Sequence, residues 1–306
     1  MKDYCNCGKK SIYHRKWEGN FYCKECFIRN IEKKFMKTVS ENKLVIPSDR
    51  IAVGISGGKD SAVLLYLLNE LRKNIPFELI AVSIDEGIEK YRNESIEYAQ
   101  KLTKECGIEY HVFSFRDEFA FANDDLPKET KYCTYCGVFR RYLLNKKSKE
   151  LKANKLAIGH NLDDEAQSIM MNLVRNDYSR FHRLGINSSE KKLITRIKPL
   201  RNIPEKEITL YAVLKEIPFF SGECPYSHDN MRREVQTMIN DLEKNHPGTK
   251  IQIVNFYARL KPMLEKNPEG INYCKICDEP TTMEICKSCE LLEKLREEGV
   301  IKEIVR

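Results

Sequence analysis

No stretch of the 306-residue chain approaches the ~20 consecutive apolar residues that a membrane-spanning helix needs. The opening segment, MKDYCNCGKK, has no apolar core of the kind that marks a secretory signal. The expectation is therefore a cytoplasmic protein with no membrane partner. There is no GxxxxGK[ST] motif, so a Walker-type nucleotide site is excluded. Nor is the chain short of apolar residues: 42% are hydrophobic and 32% charged, which excludes a disordered tail. A length of 306 residues suits two domains, or one large core with small appendages. A cytosolic enzyme or a nucleic-acid binder remains.

Charge of one sign is scarce overall, since the net excess is only +7, but it is clustered. From Arg140 to Lys155 seven basic residues meet one acid, Glu150. From Arg175 to Lys198 another seven (Arg175, Arg180, Arg183, Lys191, Lys192, Arg196 and Lys198) meet only Asp177 and Glu190. The remainder of the chain is net acidic. Clustered positive charge is the footprint of a protein that tracks phosphates, although a solvated helix face would read the same way.

Of the twelve cysteines, eleven fall into patterns. Cys5, Cys7, Cys23 and Cys26 read C-x-C-x15-C-x2-C, and Cys274, Cys277, Cys286 and Cys289 read C-x2-C-x8-C-x2-C. Each set can place four thiolates around one Zn²⁺ with no open position, so two structural zinc ions are expected. His14 is an alternative ligand in the first set. Cys133 and Cys136, in KYCTYCGVFRR, form a further C-x2-C whose distant companion is Cys224 in FFSGECPYS. Three thiolates suit an iron–sulfur cluster with one iron left without a protein ligand; a redox or persulfide pair and buried inert thiols are the other readings. Cys106 reads as a small buried hydrophobe.

Along the chain, strands alternate with helices. Apolar runs at 51–55, 78–87, 108–115 and 155–160 read as strands; 62–71, 95–107, 146–155, 163–174 and 206–217 read as helices. IPFFSG, at 217–222, reads as a strand or a strand end. This pattern predicts an α/β fold with a mostly parallel sheet and a site at the strand C-termini. The expected division is an N-terminal zinc finger at 1–30, a linker helix at 31–48, a catalytic domain at 49–260 and a C-terminal zinc finger at 261–306.

The sharpest signal is SGGKDS, Ser56 to Ser61, between the first core strand and its helix. A short glycine-rich turn in that position aims backbone N–H groups at an anion. Gly57 and Gly58 permit close approach, Ser56 and Ser61 offer hydroxyls, Lys59 adds positive charge, and Asp60 either helps to hold Mg²⁺ or caps the helix. A nucleotide bound to such a fold lies across the strand ends, which here are Val53, Gly54, Ile55 and Ile84. Gly159 follows a strand at the same sheet edge. Asp163 and Asp164 open the next helix, where capping alone would explain two acids.

VGISGGKDS resembles the pyrophosphate-binding loop of the N-type ATP pyrophosphatases. C-x2-C-GVFRR, GHNLDDEAQ, RIKPL and FFSGECPYS, in that order and bracketed by two zinc modules, are similar to the tRNA 2-thiouridine synthetases of the TtcA/TtuA superfamily. GVFRR is similar to the archaeal and eukaryotic cytosolic branch that acts on the wobble uridine. The resemblance extends over nearly the whole chain. It implies a Rossmann-like PP-loop ATP pyrophosphatase core between two zinc fingers, with ATP and Mg²⁺ as cofactors. It implies a [4Fe–4S] cluster on Cys133, Cys136 and Cys224, a role for Asp164 as base or Mg²⁺-associated carboxylate, and Arg140 near the ATP phosphates. Arg141, Arg180 and Arg183 remain generic phosphate or RNA contacts.

The reaction so implied is ATP-dependent adenylation of a uridine C2 oxygen, in which Lys59 and Asp60 take part, followed by sulfur transfer. Uridine 34 of tRNA is the expected target and uridine 54 the alternative, with a cysteine-persulfide route as the alternative to a cluster. The chain contains no obvious sulfur-mobilising domain, so sulfide or a ubiquitin-like sulfur carrier protein is the expected partner beside tRNA, and a homodimer the expected assembly. Two rival readings are a non-catalytic zinc-ribbon RNA-binding protein and another adenylating enzyme, such as a lysidine synthetase or amidotransferase.

Overall fold

The computed structural model describes residues 3–182, 184, 194–227, 231–264 and 272–302. A short antiparallel hairpin, β1 (Tyr13–Arg15) and β2 (Asn20–Tyr22), leads into helix α1 (Lys24–Glu41). The core then runs β3 (Arg50–Gly54), α2 (Lys59–Leu71), β4 (Glu78–Asp85), α3 (Tyr91–Glu105), β5 (Glu109–Ser114), α4 (Phe115–Phe119), α5 (Tyr132–Glu150), β6 (Lys155–Ala157), α6 (Leu162–Val174), α7 (Tyr178–His182), β7 (Thr195–Ile197), α8 (Glu205–Leu214), α9 (Met231–Asn245) and α10 (Thr249–Leu260). A second hairpin, β8 (Asn272–Tyr273) with β9 (Pro280–Thr281), and helix α11 (Lys287–Glu297) complete the described chain.

Five strands form one sheet in the order β5-β4-β3-β6-β7, and every neighbouring pair is parallel. Ile51, Ala52 and Val53 are fully buried, as expected where helices cover both faces and a strand becomes a continuous apolar run. One face packs against α1, α2, α3 and α8; the other packs against α4, α5 and α11. A smaller apolar cluster joins α6, α9 and α10. Strand order reverses between β3 and β6, so a crevice opens at their C-terminal ends.

Several elements depart from the expected pattern. The helix expected at 31–48 is present as α1, which begins earlier, directly after Cys23, ends at Glu41, and buries Phe27, Ile31, Phe35, Thr38 and Val39. IPFFSG forms no strand; Phe220 makes one isolated parallel bridge to Gly58. RIKPL supplies the edge strand β7 instead. The helix expected at 146–155 starts much earlier, so that Cys133, Cys136 and Arg140 all ride on α5. Cys106 is half-buried against the apolar core, as expected, and burial raises its thiol pKa. Arg183, Glu190, Lys191 and Lys192 lie outside the described residues.

Both terminal cysteine modules are docked on the core. Arg15 of β1 is fully buried and binds Glu207 of α8 with Nε to Oε1 at 2.6 Å and Nη2 to Oε2 at 2.8 Å. Two parallel charge-assisted bonds of this kind fix orientation as well as position. At the other end Leu291, Leu292 and Leu295 of α11 are buried in the cluster that contains α5.

Candidate functional site

The loop at the C-terminal end of β3 is a closed backbone turn. Gly57 has φ of +83°, and a Cβ on it would stand 2.0 Å from the Ser95 carbonyl oxygen, so only glycine fits. The two serines hold the turn rather than standing open to a ligand: Ser61 Oγ accepts from Ser56 N at 3.1 Å and donates to Gly58 O at 2.9 Å, while Gly58 N donates to Ser56 Oγ at 3.3 Å. Buried Arg92 braces the turn, donating Nη1 to Ser56 O at 2.8 Å and Nε to Ile84 O at 2.9 Å. Gly58 caps α2, whose first turn aims its free N–H groups into the crevice. Gly159 passes close by, since a Cβ there would meet Ser61 N at 3.0 Å. Val53, Ile55 and Ile84 are buried in the core, so at the strand ends they present backbone to the crevice. Gly54 is half-buried.

Carboxylates from three helices meet in front of this turn. Lys59 Nζ lies 2.6 Å from Glu205 Oε1 and 3.3 Å from Asp60 Oδ2. Asn161 Nδ2 donates to Asp60 Oδ1 at 3.0 Å, tying α6 to the loop. Burial raises the Asp60 pKa against the opposing pull of Lys59 and Asn161. Asp164 closes a capping box with Asn161 and is contacted by Arg232 at 3.3 Å. Burial pushes the Asp164 carboxyl up to about 6; Arg232 opposes the shift, while Asp60 and Glu205 reinforce it. Asp163 is consumed by structure: it pairs with Lys250 and accepts from Glu205 N at 2.9 Å. Of the two acids in GHNLDDEA, Asp164 is thus the one facing the crevice chemistry.

The third group of thiols stands beside the same turn. Cys133 and Cys136 occupy the first turns of α5, and Cys224 follows the segment that Phe220 N anchors to Gly57 O at 2.8 Å. The three thiols act on one another electrostatically, and burial pushes the Cys136 pKa up to about 11. Tyr226 fastens the Cys224 segment: its ring stacks on Tyr132 at 4.1 Å, its hydroxyl donates to Asp124 Oδ1 at 2.7 Å, and its carbonyl accepts from Cys133 Sγ at 3.3 Å. Arg140 lies one turn beyond Cys136, held in its charged form by that thiol and by Glu86, whose Oε1 is 3.4 Å away. Buried Glu86 also pairs with Arg92 at 2.8 Å, so one carboxylate links the thiol helix to the phosphate turn. His160 sits among Lys198, Arg232, Arg196 and Arg140; burial and those cations push its pKa down to about 3, which keeps the ring neutral.

The terminal modules each bring four sulfur atoms within 4.8 Å of one another: Cys5, Cys7, Cys23 and Cys26 in one, Cys274, Cys277, Cys286 and Cys289 in the other. That donor set and spacing fit a closed tetrahedral zinc site in each. His14 instead stacks on Phe21 at 4.0 Å. Cys133, Cys136 and Cys224 lie farther apart than that, and three thiolates from two segments are a donor set of the kind that iron–sulfur clusters take.

Comparison with known proteins agrees with this geometry. The PP-loop domain family matches residues 27–242. Haloferax volcanii tRNA 2-thiolation protein NcsA is 36% identical across 94% of this chain and 98% of its own. Cytoplasmic tRNA 2-thiolation protein 1 of Anopheles gambiae is 34% identical, covering 95% and 87%. The chain belongs to the PP-loop tRNA 2-thiolation family. Among solved structures, the U34-tRNA thiolase NcsA of Methanococcus maripaludis with its [4Fe-4S] cluster superposes with a TM-score of 0.86 at 43% identity, over 96% of this chain and 97% of that one. A Methanocaldococcus jannaschii probable sulfurtransferase is 38% identical, over 96% and 88%.

Within this PP-loop frame, four residues join the site that motif reading passes over: Glu86, Arg92, Glu205 and Arg232. Only Glu86 carries a local signal, since an acid directly after an apolar strand lies at the functional edge of such a sheet. The others reach the crevice from distant segments. No helix among the described residues is long and apolar enough to cross a membrane.

Proposed function

We propose that the protein replaces the C2 oxygen of the wobble uridine of tRNA, position 34, with sulfur, at the expense of ATP. The observation that carries this reading is the joining of the PP-loop and the Cys133, Cys136, Cys224 triad through Phe220, Arg140 and Glu86. A base activated at one can receive sulfur at the other without leaving the crevice.

ATP would lie with its phosphates on the N–H groups of Gly57 and Gly58 and near Lys59, with Mg²⁺ beside Asp60 and Asp164. The uracil C2 oxygen attacks the α-phosphorus and the α–β bridging bond breaks, releasing pyrophosphate. Sulfur then adds to C2, and AMP departs with the original oxygen. Asp164, ionised above about pH 6, is suited to accept a proton or associate with the metal. Fixed loop donors and cations stabilise charge spread over the phosphates. The target base must leave its stack to enter. Cys133, Cys136 and Cys224 would hold a [4Fe–4S] cluster, which supplies an iron without a protein ligand as a docking point for sulfide. The two terminal modules would each hold one Zn²⁺. Sulfur would come from sulfide or a ubiquitin-like carrier protein; a homodimer in the cytoplasm is the proposed setting. Position 34 is favoured by the GVFRR motif, Gly137 to Arg141, and by the M. maripaludis relative, named as a U34-tRNA thiolase.

Mass spectrometry of nuclease-digested tRNA from a deletion strain tests the function, with loss of 2-thiouridine at position 34 expected. Loss at position 54 with 34 intact overturns the position. Serine at Cys133, Cys136 or Cys224 should abolish both cluster and thiolation, whereas thiolation by an iron-free, chelator-treated enzyme would reject the cluster.

A further inference from the structure

The cations that surround the crevice are not alike. Arg140 has a carboxylate partner in Glu86 at 3.4 Å, which it shares with Arg92, Arg232 in Asp164 at 3.3 Å, Arg180 in Asp177 at 3.3 Å, and Lys198 and Arg201 share Glu165 at 2.5 Å and 3.3 Å. Arg141 and Arg196 differ: among the described residues no carboxylate lies within ion-pair distance of either. Arg196 is fixed by neutral acceptors, with Nε and Nη2 on Asn145 Oδ1 at 3.2 Å and 2.9 Å and Nη2 on the Arg141 carbonyl at 3.3 Å. These acceptors are neutral, so among the described residues the Arg196 charge has no carboxylate partner. The Arg141 guanidinium folds back along α5, since a Cβ on Gly137 would stand 3.3 Å from its Nη1. It therefore lies against the turn of α5 that carries Cys136.

We propose that Arg141 and Arg196 form the seat of one phosphodiester of the RNA substrate, next to the nucleotide that enters the crevice. This rests on the reading of RNA as substrate. Arg196 reaches the Arg141 carbonyl while the Arg141 guanidinium lies one turn back along α5, so two cations without a carboxylate partner among the described residues flank one stretch of that helix, and an anion there would compensate both. Burial and the neighbouring Arg196, Arg140 and Arg180 already pull the Arg141 pKa down to about 10. Planar guanidinium forks are matched to phosphate oxygens. ATP is the other source of such oxygens, but its seat is the PP-loop, where Gly57, Gly58 and Lys59 provide the donors. A base drawn out of its stack leaves its own flanking phosphates at the crevice mouth, and one fixed phosphate there would set how deep the base reaches.

The test uses the full-length, anaerobically prepared protein. Equilibrium binding of tRNA is measured across a salt series for wild type, Arg141→Gln, Arg196→Gln and the lysine variants, alongside ATP binding, zinc content and cluster absorbance. Each glutamine variant should weaken tRNA binding several-fold and make the log–log salt slope shallower by about 0.7, the value of one single-stranded phosphate contact. Lysine should restore the slope. ATP affinity, zinc and cluster should stay at wild-type values. A raised ATP dissociation constant with an unchanged tRNA slope would assign the pair to the nucleotide and overturn the inference; so would no change in either, or a loss of zinc or cluster that accounts for the binding loss. If wild type binds RNA but does not thiolate it, the function above fails while a changed slope still supports this seat. If it thiolates RNA with an unchanged slope, this seat alone fails.

Discussion

Asp164 and Gly57 illustrate how single side chains set the behaviour of the crevice. The Asp164 carboxyl is raised to about 6 by burial, more than Arg232 and the Asn161 backbone can offset. A carboxyl raised in the fold is disfavoured as an anion, so its contribution to stability is fullest when it is protonated and is lost as pH rises through about 6. Activity runs the other way, because the proposed role needs the anion. The kcat/KM for tRNA-dependent AMP formation should therefore fall on the acid side with a midpoint near 6. Asp164→Asn should lose that limb with most of the rate, yet unfold no earlier than wild type at alkaline pH, since asparagine can still cap α6. An acid limb that persists in the asparagine variant would assign it to another group. Gly57→Ala should abolish nucleotide binding, because its Cβ would collide with the Ser95 backbone at a φ that disfavours L-residues. Isothermal titration with ATP checks this, and tRNA binding should survive. SGGKDS was legible in the sequence because one contiguous segment carries the turn. Glu205 and Arg232 were not, because their partners Lys59 and Asp164 lie 146 and 68 residues away.

Whole elements were legible where the apolar pattern was local. β3, β4 and α2 are long apolar runs that the sheet and its cover demand. β7 is only three residues, Thr-Arg-Ile, and owes its existence to pairing with β6. α9 buries only Val235 and Ile239, too few to announce a core helix. α1 was legible as a basic amphipathic helix, but that its stripe at Phe27, Ile31, Phe35 and Val39 packs into the core depended on the tertiary fold. Helix α1 and its hairpin are fastened by Arg15 and Glu207, both fully buried, with Lys34 at 3.5 Å. Removing Glu207 leaves the fully buried Arg15 with the half-exposed Glu18, at 3.0 Å, as its one remaining carboxylate among the described residues. Glu207→Ala should accordingly cost about 3–5 kcal/mol in denaturant unfolding. The double replacement Arg15→Met with Glu207→Leu should recover part of that loss. Recovery of none would mean that the pair acts through its hydrogen-bond geometry rather than its charge.

At the scale of the whole molecule, the core is closed at each end by a cysteine module too small to bury much apolar surface of its own. The four thiols of the C-terminal module lie within 4.8 Å of one another, and the adjoining helix α11 places Leu291, Leu292 and Leu295 on the face of the core covered by α5. Cys286 caps α11 by accepting from Cys289 N at 3.5 Å, so ligand geometry and helix start are the same feature. That coupling makes metal and docking interdependent: small metal modules gain their folding free energy from the ion, and α11 gains its place from the module. The cysteine spacing announced the module, but its seat against the same helix that carries Cys133 and Cys136 depended on the tertiary fold. Cys286→Ser should reduce bound zinc from two ions per chain to one. It should also open the segment after residue 272 to limited proteolysis while residues 50–260 stay protected. Because α5 would lose the cover of Leu291 and Leu295, the variant should also release iron faster in air than wild type. Metal analysis with a timed digest checks all three outcomes, and a variant that kept both zinc ions would remove Cys286 from the ligand set.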